Sequence, residues 1–447
     1  MRRFVPHPTR RYTAAADPMP RLPDPRFAPD CAILVDGHAV PARTGESVAV
    51  ALLAAGRPLV SRSVKYHRPR GAFCLAGSCG SCLARVDGMP SQRLCRTACR
   101  QGLAVETQHA FPSAQHDFLG LVDRMSPRGI DHHHLLTHPR LANRLLVEVS
   151  RRLSGLGRLP DAALPVSSPP AEERFDAAVV GAGPAGLGAA EVLAAAGRRV
   201  LLADQEPVLG GRLRARLGLP GDPSLAWPRT VAEAVGRSGG QVALGSAALG
   251  IWRDGGAPLL VLLSERPARL RLVRAPQILL CPGGTARPPL FARNDLPGVF
   301  WGRGLAVAVA EAGVVPGKRA LVLGTGAEAE ALAARLAETR MAARAVAGPA
   351  VRARGGTRIA GLDMADGASL NCDTLAVAPP PVPACDLARE AGAAVALDVR
   401  LGAHAVRAGS DGSTGVAGLR AAGEVTGACT AREAADAGRR AGEAARG

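Results

Sequence analysis

Four cysteines, Cys74, Cys79, Cys82 and Cys95, stand close together in a 447-residue chain, spaced C-x4-C-x2-C-x12-C. Thiolates are soft ligands, and thiols this dense point to metal or redox chemistry. The first three match the spacing of a [2Fe-2S] loop, in which small residues let backbone N–H groups turn toward the sulfurs. Gly71, Ala76, Gly77, Ser78, Gly80 and Ser81 supply those small residues. A structural zinc site is the rival reading, since four cysteines also suit zinc. Zinc sites usually present two separated C-x2-C knuckles, whereas here three cysteines precede a hairpin and the fourth follows it. The four are therefore assigned as cluster ligands. Cys99, four residues beyond the last, is assigned as a buried thiol.

The glycines carry a second chemistry. Phe175 to Val180 reads as a strand, and Gly181-Ala-Gly183-Pro-Ala-Gly186 then opens a helix. Gly181 allows the tight turn, Gly183 lets a pyrophosphate approach the backbone, and Gly186 lets helix and strand pack closely. The helix N-terminus faces the phosphates. Asp204 closes the next strand, eighteen residues past Gly186, where a carboxylate accepts hydrogen bonds from ribose hydroxyls. Two further pieces favour FAD over NAD here. Gly210, Gly211 and Arg212 form the second glycine pair that flavoproteins with two dinucleotide domains place beside the cofactor. Gly423 and Glu424 resemble the closing motif of those proteins, in which a strand delivers an acid to the flavin ribityl chain. Gly283 ends a segment resembling their crossover strand between lobes.

Gly324-Thr-Gly326-Ala-Glu-Ala329 opens another strand-turn-helix unit, with Ala329 in the third glycine's place, which the fingerprint permits. Its next strand, about 342–347, ends without an acid. NAD(P) binding there stays open, although Arg352 and Arg354 would suit a 2′-phosphate.

These residues need elements to hold them. Cys31 to Ala42 reads as a hairpin, Thr44 to Ala55 as a helix capped by Thr44, Leu83 to Val86 and Leu103 to Thr107 as strands. Hairpin, helix, loop and hairpin make a β-grasp. The fold class is α/β plus α+β: a β-grasp [2Fe-2S] ferredoxin-like domain followed by a Rossmann-like flavoprotein fold with two dinucleotide-binding domains. Residues 1–30 read as a flexible arm or a strap on a partner, 31–110 as the ferredoxin-like domain, and 111–171 as a connector with a bracing helix over 139–153. Residues 172–300 form the first part of an FAD-binding domain, 301–378 an NAD(P)-binding-like domain, and 379–447 the closing part.

Composition narrows the class. With 47% hydrophobic residues the chain buries several cores, and the net charge of +17 comes from scattered arginine, Lys65 and Lys318 being the lysines. With 3% aromatic residues there are few platforms for base stacking, so nucleic acid is not the expected partner. Ten cysteines without an apolar leader suggest the reducing cytoplasm, and no apolar run reaches a membrane span's length. His132, His133 and His134, with His138 beyond, do not read as a metal site, because three adjacent side chains cannot share one helix face.

The motifs also resemble known families. Lys65-Tyr-His-Arg-Pro-Arg-Gly71 and Asn294-Asp-Leu-Pro-Gly-Val299, with the glycine motifs, look like the N-terminal half of the sarcosine oxidase alpha subunit of heterotetrameric enzymes. The cysteine segment is similar to the small iron–sulfur subunits of opine oxidase, hydrogen cyanide synthase and hydroxyproline dehydrogenase. The chain thus resembles those two subunits fused, over about residues 30 to 447. The cysteines depart from the sarcosine oxidase pattern, and that subunit's folate-binding half has no counterpart here, so folate chemistry is not expected. The resemblance implies a hetero-oligomer with a partner of the glycine- or sarcosine-oxidase type, which takes a hydride from an amine, imino acid or opine. This chain then carries the electrons through FAD and [2Fe-2S]. Sarcosine oxidase relatives imply NAD at the Gly181 site and opine oxidase relatives FAD; FAD is preferred. The alternative is an NAD(P)H-dependent reductase passing electrons through FAD and cluster to an external acceptor.

Overall fold

The computed structural model describes residues 21–446 apart from 64–65, 111–112, 119–138, 149–169 and positions 142, 146, 171, 254, 266 and 267. His132, His133, His134 and His138 lie outside the described residues. So does much of the helix expected over 139–153, and within its described part Leu141 and Leu145 are exposed.

The first sheet orders its strands His38–Ala42, Cys31–Val35, Ala104–Glu106, Leu83–Val86 and Met89–Arg93. Its central pair, Cys31–Val35 with Ala104–Glu106, is parallel, and its flanking hairpins are antiparallel, which is the β-grasp arrangement. Asp36-Gly37 and Asp87-Gly88 make the two tight turns, with positive φ at all four residues, as hairpin turns of this type require. The helix Val48–Ala54 lays Val48, Ala51 and Leu52 on the sheet. It begins later than the expected Thr44: Ser47 is the cap, its hydroxyl accepting from the Val50 amide at 3.3 Å. Thr44 instead donates its amide to Asp30 at 2.6 Å and stays in a turn.

The arm expected over 1–30 is described from residue 21, and there it lies against the chain itself. Phe27 is buried against Gly313, where a Cβ would stand 2.2 Å from its ring. Arg21 pairs with Glu46 and donates to the Ala312 carbonyl at 3.0 Å, so one side chain ties the β-grasp to a helix end far along the sequence.

Two parallel sheets carry the glycine turns. The larger runs Gln241–Ala243, Val200–Ala203, Ala177–Val180, Gln277–Leu280, Leu419–Ala421. Its strands Val200–Ala203 and Ala177–Val180 are buried along their whole length, as continuous apolar runs such as Val200-Leu-Leu-Ala predict. The smaller runs Val299–Trp301, Thr374–Val377, Arg319–Leu323, Ala342–Val346. Antiparallel strands Ser246–Trp252, Leu259–Glu265 and Ala268–Arg274 form a separate sheet with Glu172–Arg174 at its edge.

The helix Pro184–Ala195, which follows the first glycine turn, packs on the last helix, Ala431–Ala444. A Cβ on Gly438 would lie 1.9 Å from the Ala185 carbonyl, and one on Gly188 would lie 2.3 Å from that of Ala435. These glycines bring the C-terminal helix against the glycine turn.

Candidate functional site

Cys74, Cys79, Cys82 and Cys95 converge on the loop between the β-grasp helix and its second hairpin. Cys74, Cys82 and Cys95 are buried and Cys79 is half-buried. The loop curls because Leu75, Gly77 and Gly80 take positive φ (53°, 76° and 63°). That curl turns amides toward sulfur: Ala76 donates to Cys74, Ser81 to Cys79 and Cys95 to Cys82, each at 3.4 Å.

The thiols perturb one another. The Cys79 and Cys95 S–H groups donate to Cys74 and hold it far below the ordinary thiol range; Cys95 also lowers Cys82. Cys79 is pushed up in turn, first by Cys74 and then by burial, and Cys95 by Cys74, then Cys82, then burial. Thiolates this close repel one another, and iron removes the conflict by neutralising them. Among the described residues no three His, Cys, Asp or Glu side chains surround a single ion position. Donor chemistry and sulfur-directed amides both suit a [2Fe-2S] cluster. Burial pushes the Cys99 thiol up to about 12, and it packs inside the β-grasp core.

Beside this loop lies a cavity of about 550 Å³. Gly181, Gly183, Asp204, Gly211, Arg212, Gly283 and Glu424 line it. Other predicted glycines support it from behind. Gly186 packs under the turn, where a Cβ would lie 1.7 Å from the Gly181 carbonyl, and Gly423 (φ 84°) would clash with Ala185. Gly210 (φ 110°) starts the second glycine turn, which brings Gly211 against Gly183, within 2.8 Å of its Cα for an added Cβ. The cradle is therefore bare backbone at the helix N-terminus, shaped for a pyrophosphate.

Asp204 accepts the Ala182 amide at 2.6 Å and the Glu206 amide at 2.7 Å, so it fixes the glycine turn from below. Burial raises its carboxyl above the usual range, outweighing those amides. Arg212 donates to Glu424 at 2.8 Å.

Several cavity residues were invisible in sequence. Arg303 donates to Glu424 at 2.9 Å and to Glu328 at 2.6 Å. Burial opposes its charge, but the two carboxylates hold its proton more firmly than usual. Trp301, Gly304 and Val307 form another wall, and Leu75, Ala76 and Ser78 of the cysteine loop form a third. Gly324 and Gly326 are not among the cavity-lining residues. Their helix start carries Glu328 and Glu330 in its first turn, and Glu328 faces Arg303 where a phosphate would need the N-terminus free.

The two segments carrying the family resemblance also meet. Arg70 pairs with Asp295 at 3.2 Å, and a Cβ on Gly71 would lie 3.3 Å from the Pro297 Cα.

An iron–sulfur domain seated on a flavoprotein-type fold with two dinucleotide units is the class these features define. The 2Fe-2S iron-sulfur cluster binding domain family matches residues 30–110, and the NAD(P)-binding Rossmann-like domain family matches 179–218. The sarcosine oxidase alpha subunit of Rhizobium meliloti is 32% identical over 320 residues, covering 67% of this chain and 32% of the relative. The HcnA subunit of hydrogen cyanide synthase from Pseudomonas aeruginosa is 39% identical over 79 residues, 18% of this chain and 75% of that subunit. The L-proline dehydrogenase of P. horikoshii shares the fold, with a TM-score of 0.72 at 20% identity over 95% of this chain and 74% of that one. Over its cysteine domain the chain belongs to the family of the HcnA subunits of hydrogen cyanide synthase, and over 320 residues it is similar to sarcosine oxidase alpha subunits. It spans about a third of that alpha subunit's length.

Proposed function

We propose that this chain is the electron-carrying subunit of a multi-subunit amine, imino acid or opine oxidase or dehydrogenase, holding FAD at the Gly181 site and [2Fe-2S] at Cys74, Cys79, Cys82 and Cys95. One observation carries the reading: Leu75, Ala76 and Ser78, from the ligand loop, line the same cavity as Gly181 and Gly183. Flavin exchanges electrons in pairs or singly, and the cluster takes them one at a time. The chain's residues do the placing. The helix Pro184–Ala195 meets the pyrophosphate, Asp204 fixes the turn at the ribose end, and Arg212 and Arg303 bring positive charge to the Glu424 side. The amides of Ala76, Ser81 and Cys95 stabilise charge on the sulfurs.

FAD is favoured over NAD by the facing Gly183 and Gly211 and by the Glu424 closing motif. Glu328 at the second helix start, held by Arg303, argues against NAD(P) there and so against the reductase alternative. The hydride step belongs to a partner flavoprotein of the amine-oxidase type in a hetero-oligomer. The ten cysteines are free thiols, which fits a cytoplasmic setting. Among the described residues no helix is long and apolar enough to cross a membrane.

The test is anaerobic titration of the purified chain with NADH and with candidate amines, with and without a flavoprotein of the glycine- or sarcosine-oxidase type. Bleaching by an amine only when the partner is present is expected. Rapid bleaching by NADH alone would establish the reductase instead.

A further inference from the structure

We propose that cluster ligation and dinucleotide binding are energetically coupled through Arg96 and Gly304, two positioning residues that join the last and first ligands to two separate segments of the cavity lining. The proposal rests on the functional reading above, since it requires both groups to bind.

The first ligand is anchored to one wall. Phe73, the neighbour of Cys74, accepts the Trp301 amide at 2.9 Å. The Cys74 carbonyl occupies the space of a Gly304 side chain, 2.0 Å from where its Cβ would be. Trp301 and Gly304 both line the cavity. The last ligand is anchored to a second segment of the lining. Arg96, the neighbour of Cys95, donates to the Gln205 carbonyl and to the Glu206 carboxylate, and both residues line the cavity beside Asp204. Arg96 is largely buried, and it lies against Gly77 of the ligand loop, where a Cβ would come within 2.8 Å of its Cδ. Glu206 passes the contact on to Arg214 at 2.9 Å, which grips Glu311 at 2.7 Å on the same helix as Gly304.

Tying four sulfurs to one rigid group fixes the separation of Cys74 and Cys95, and with it the positions of Trp301 and Gln205. A dinucleotide entering walls already fixed gives up less conformational freedom than one that must order them. Linkage makes the effect reciprocal: the dinucleotide stabilises the cluster by the same factor.

The experiment titrates the full-length chain with FAD by calorimetry, in the cluster-loaded form and after anaerobic chelation of iron, with near-UV circular dichroism on both. Cluster-loaded protein is expected to bind FAD at least about 5-fold tighter. Arg96→Ala, with its cluster spectrum intact, is expected to lose most of that difference, and Gly304→Ala to bind FAD more weakly while loaded. Saturating FAD is expected to alter the EPR line shape of the reduced cluster in the parent chain and not in Arg96→Ala, a change that a merely structural arginine would not produce. Equal FAD affinity with and without the cluster, or an undiminished difference in Arg96→Ala, refutes the coupling alone. A chain that takes up neither group refutes the functional reading as well.

Discussion

Arg303 holds Glu424 at 2.9 Å and Glu328 at 2.6 Å, so one buried guanidinium joins the closing motif of the first dinucleotide unit to the helix start of the second. Removing it leaves two carboxylates facing each other in a poorly hydrated space, with Arg212 as their remaining cation. Arg303→Met is expected to destabilise the chain by about 3–5 kcal/mol, read from urea unfolding midpoints. Arg303→Lys, which keeps the charge but not the bidentate fork, falls between. A midpoint unchanged in the methionine variant would show that the junction does not depend on this pair.

Stability falls on acidification. Burial alone would raise the Glu328 carboxyl, but hydrogen bonds and charge from Arg303, with Arg212 beyond, bring it below its ordinary 4.5. The Arg271 guanidinium lowers Glu173 in the same way. A carboxylate lowered on folding contributes stability that is present above its unfolded value and lost as pH falls through its folded one. Asp204, raised by burial, acts in the opposite sense and offsets part of the loss. Urea midpoints are therefore expected to be level from pH 7 to about 5 and to drop below about 4.5. A midpoint that rises on acidification through that window would contradict these assignments.

The C-terminal helix is predicted to hold the first glycine turn in place from behind. Gly438→Ala places a methyl group 1.9 Å from the Ala185 carbonyl and must push the helix Ala431–Ala444 off the glycine turn. Overpacking of this kind costs about 1–3 kcal/mol, and FAD affinity is expected to weaken with it. Thermal unfolding and FAD titration read the two effects; a variant equal to the parent in both would show that the crossing tolerates separation.

Local patterns made much of this legible. The cysteine spacing, the strand leading into Gly181 and the Asp-Gly turns each concern a few adjacent residues, where chemistry and backbone conformation leave few choices. The cap moved from Thr44 to Ser47 because Asp30 claims the Thr44 amide, a partner from an earlier strand entrance. The arm settled on its own chain because Phe27 finds a slot opened by Gly313. What stayed hidden was distance: Arg96 against Glu206, Gly304 beneath Cys74 and Arg303 against Glu424 each join segments more than a hundred residues apart. No periodicity or spacing marks such pairs, since their meeting depends on how three sheets pack.

The account depends most on what the thiols of Cys74, Cys79, Cys82 and Cys95 hold. Anaerobically isolated protein, assayed for iron, acid-labile sulfide and zinc, with EPR before and after reduction by dithionite, tests it directly. About two irons and two sulfides per chain are predicted, with a spin signal that appears on reduction and is lost in Cys79→Ser. Stoichiometric zinc, or a metal-free chain that reconstitution cannot load, would contradict it.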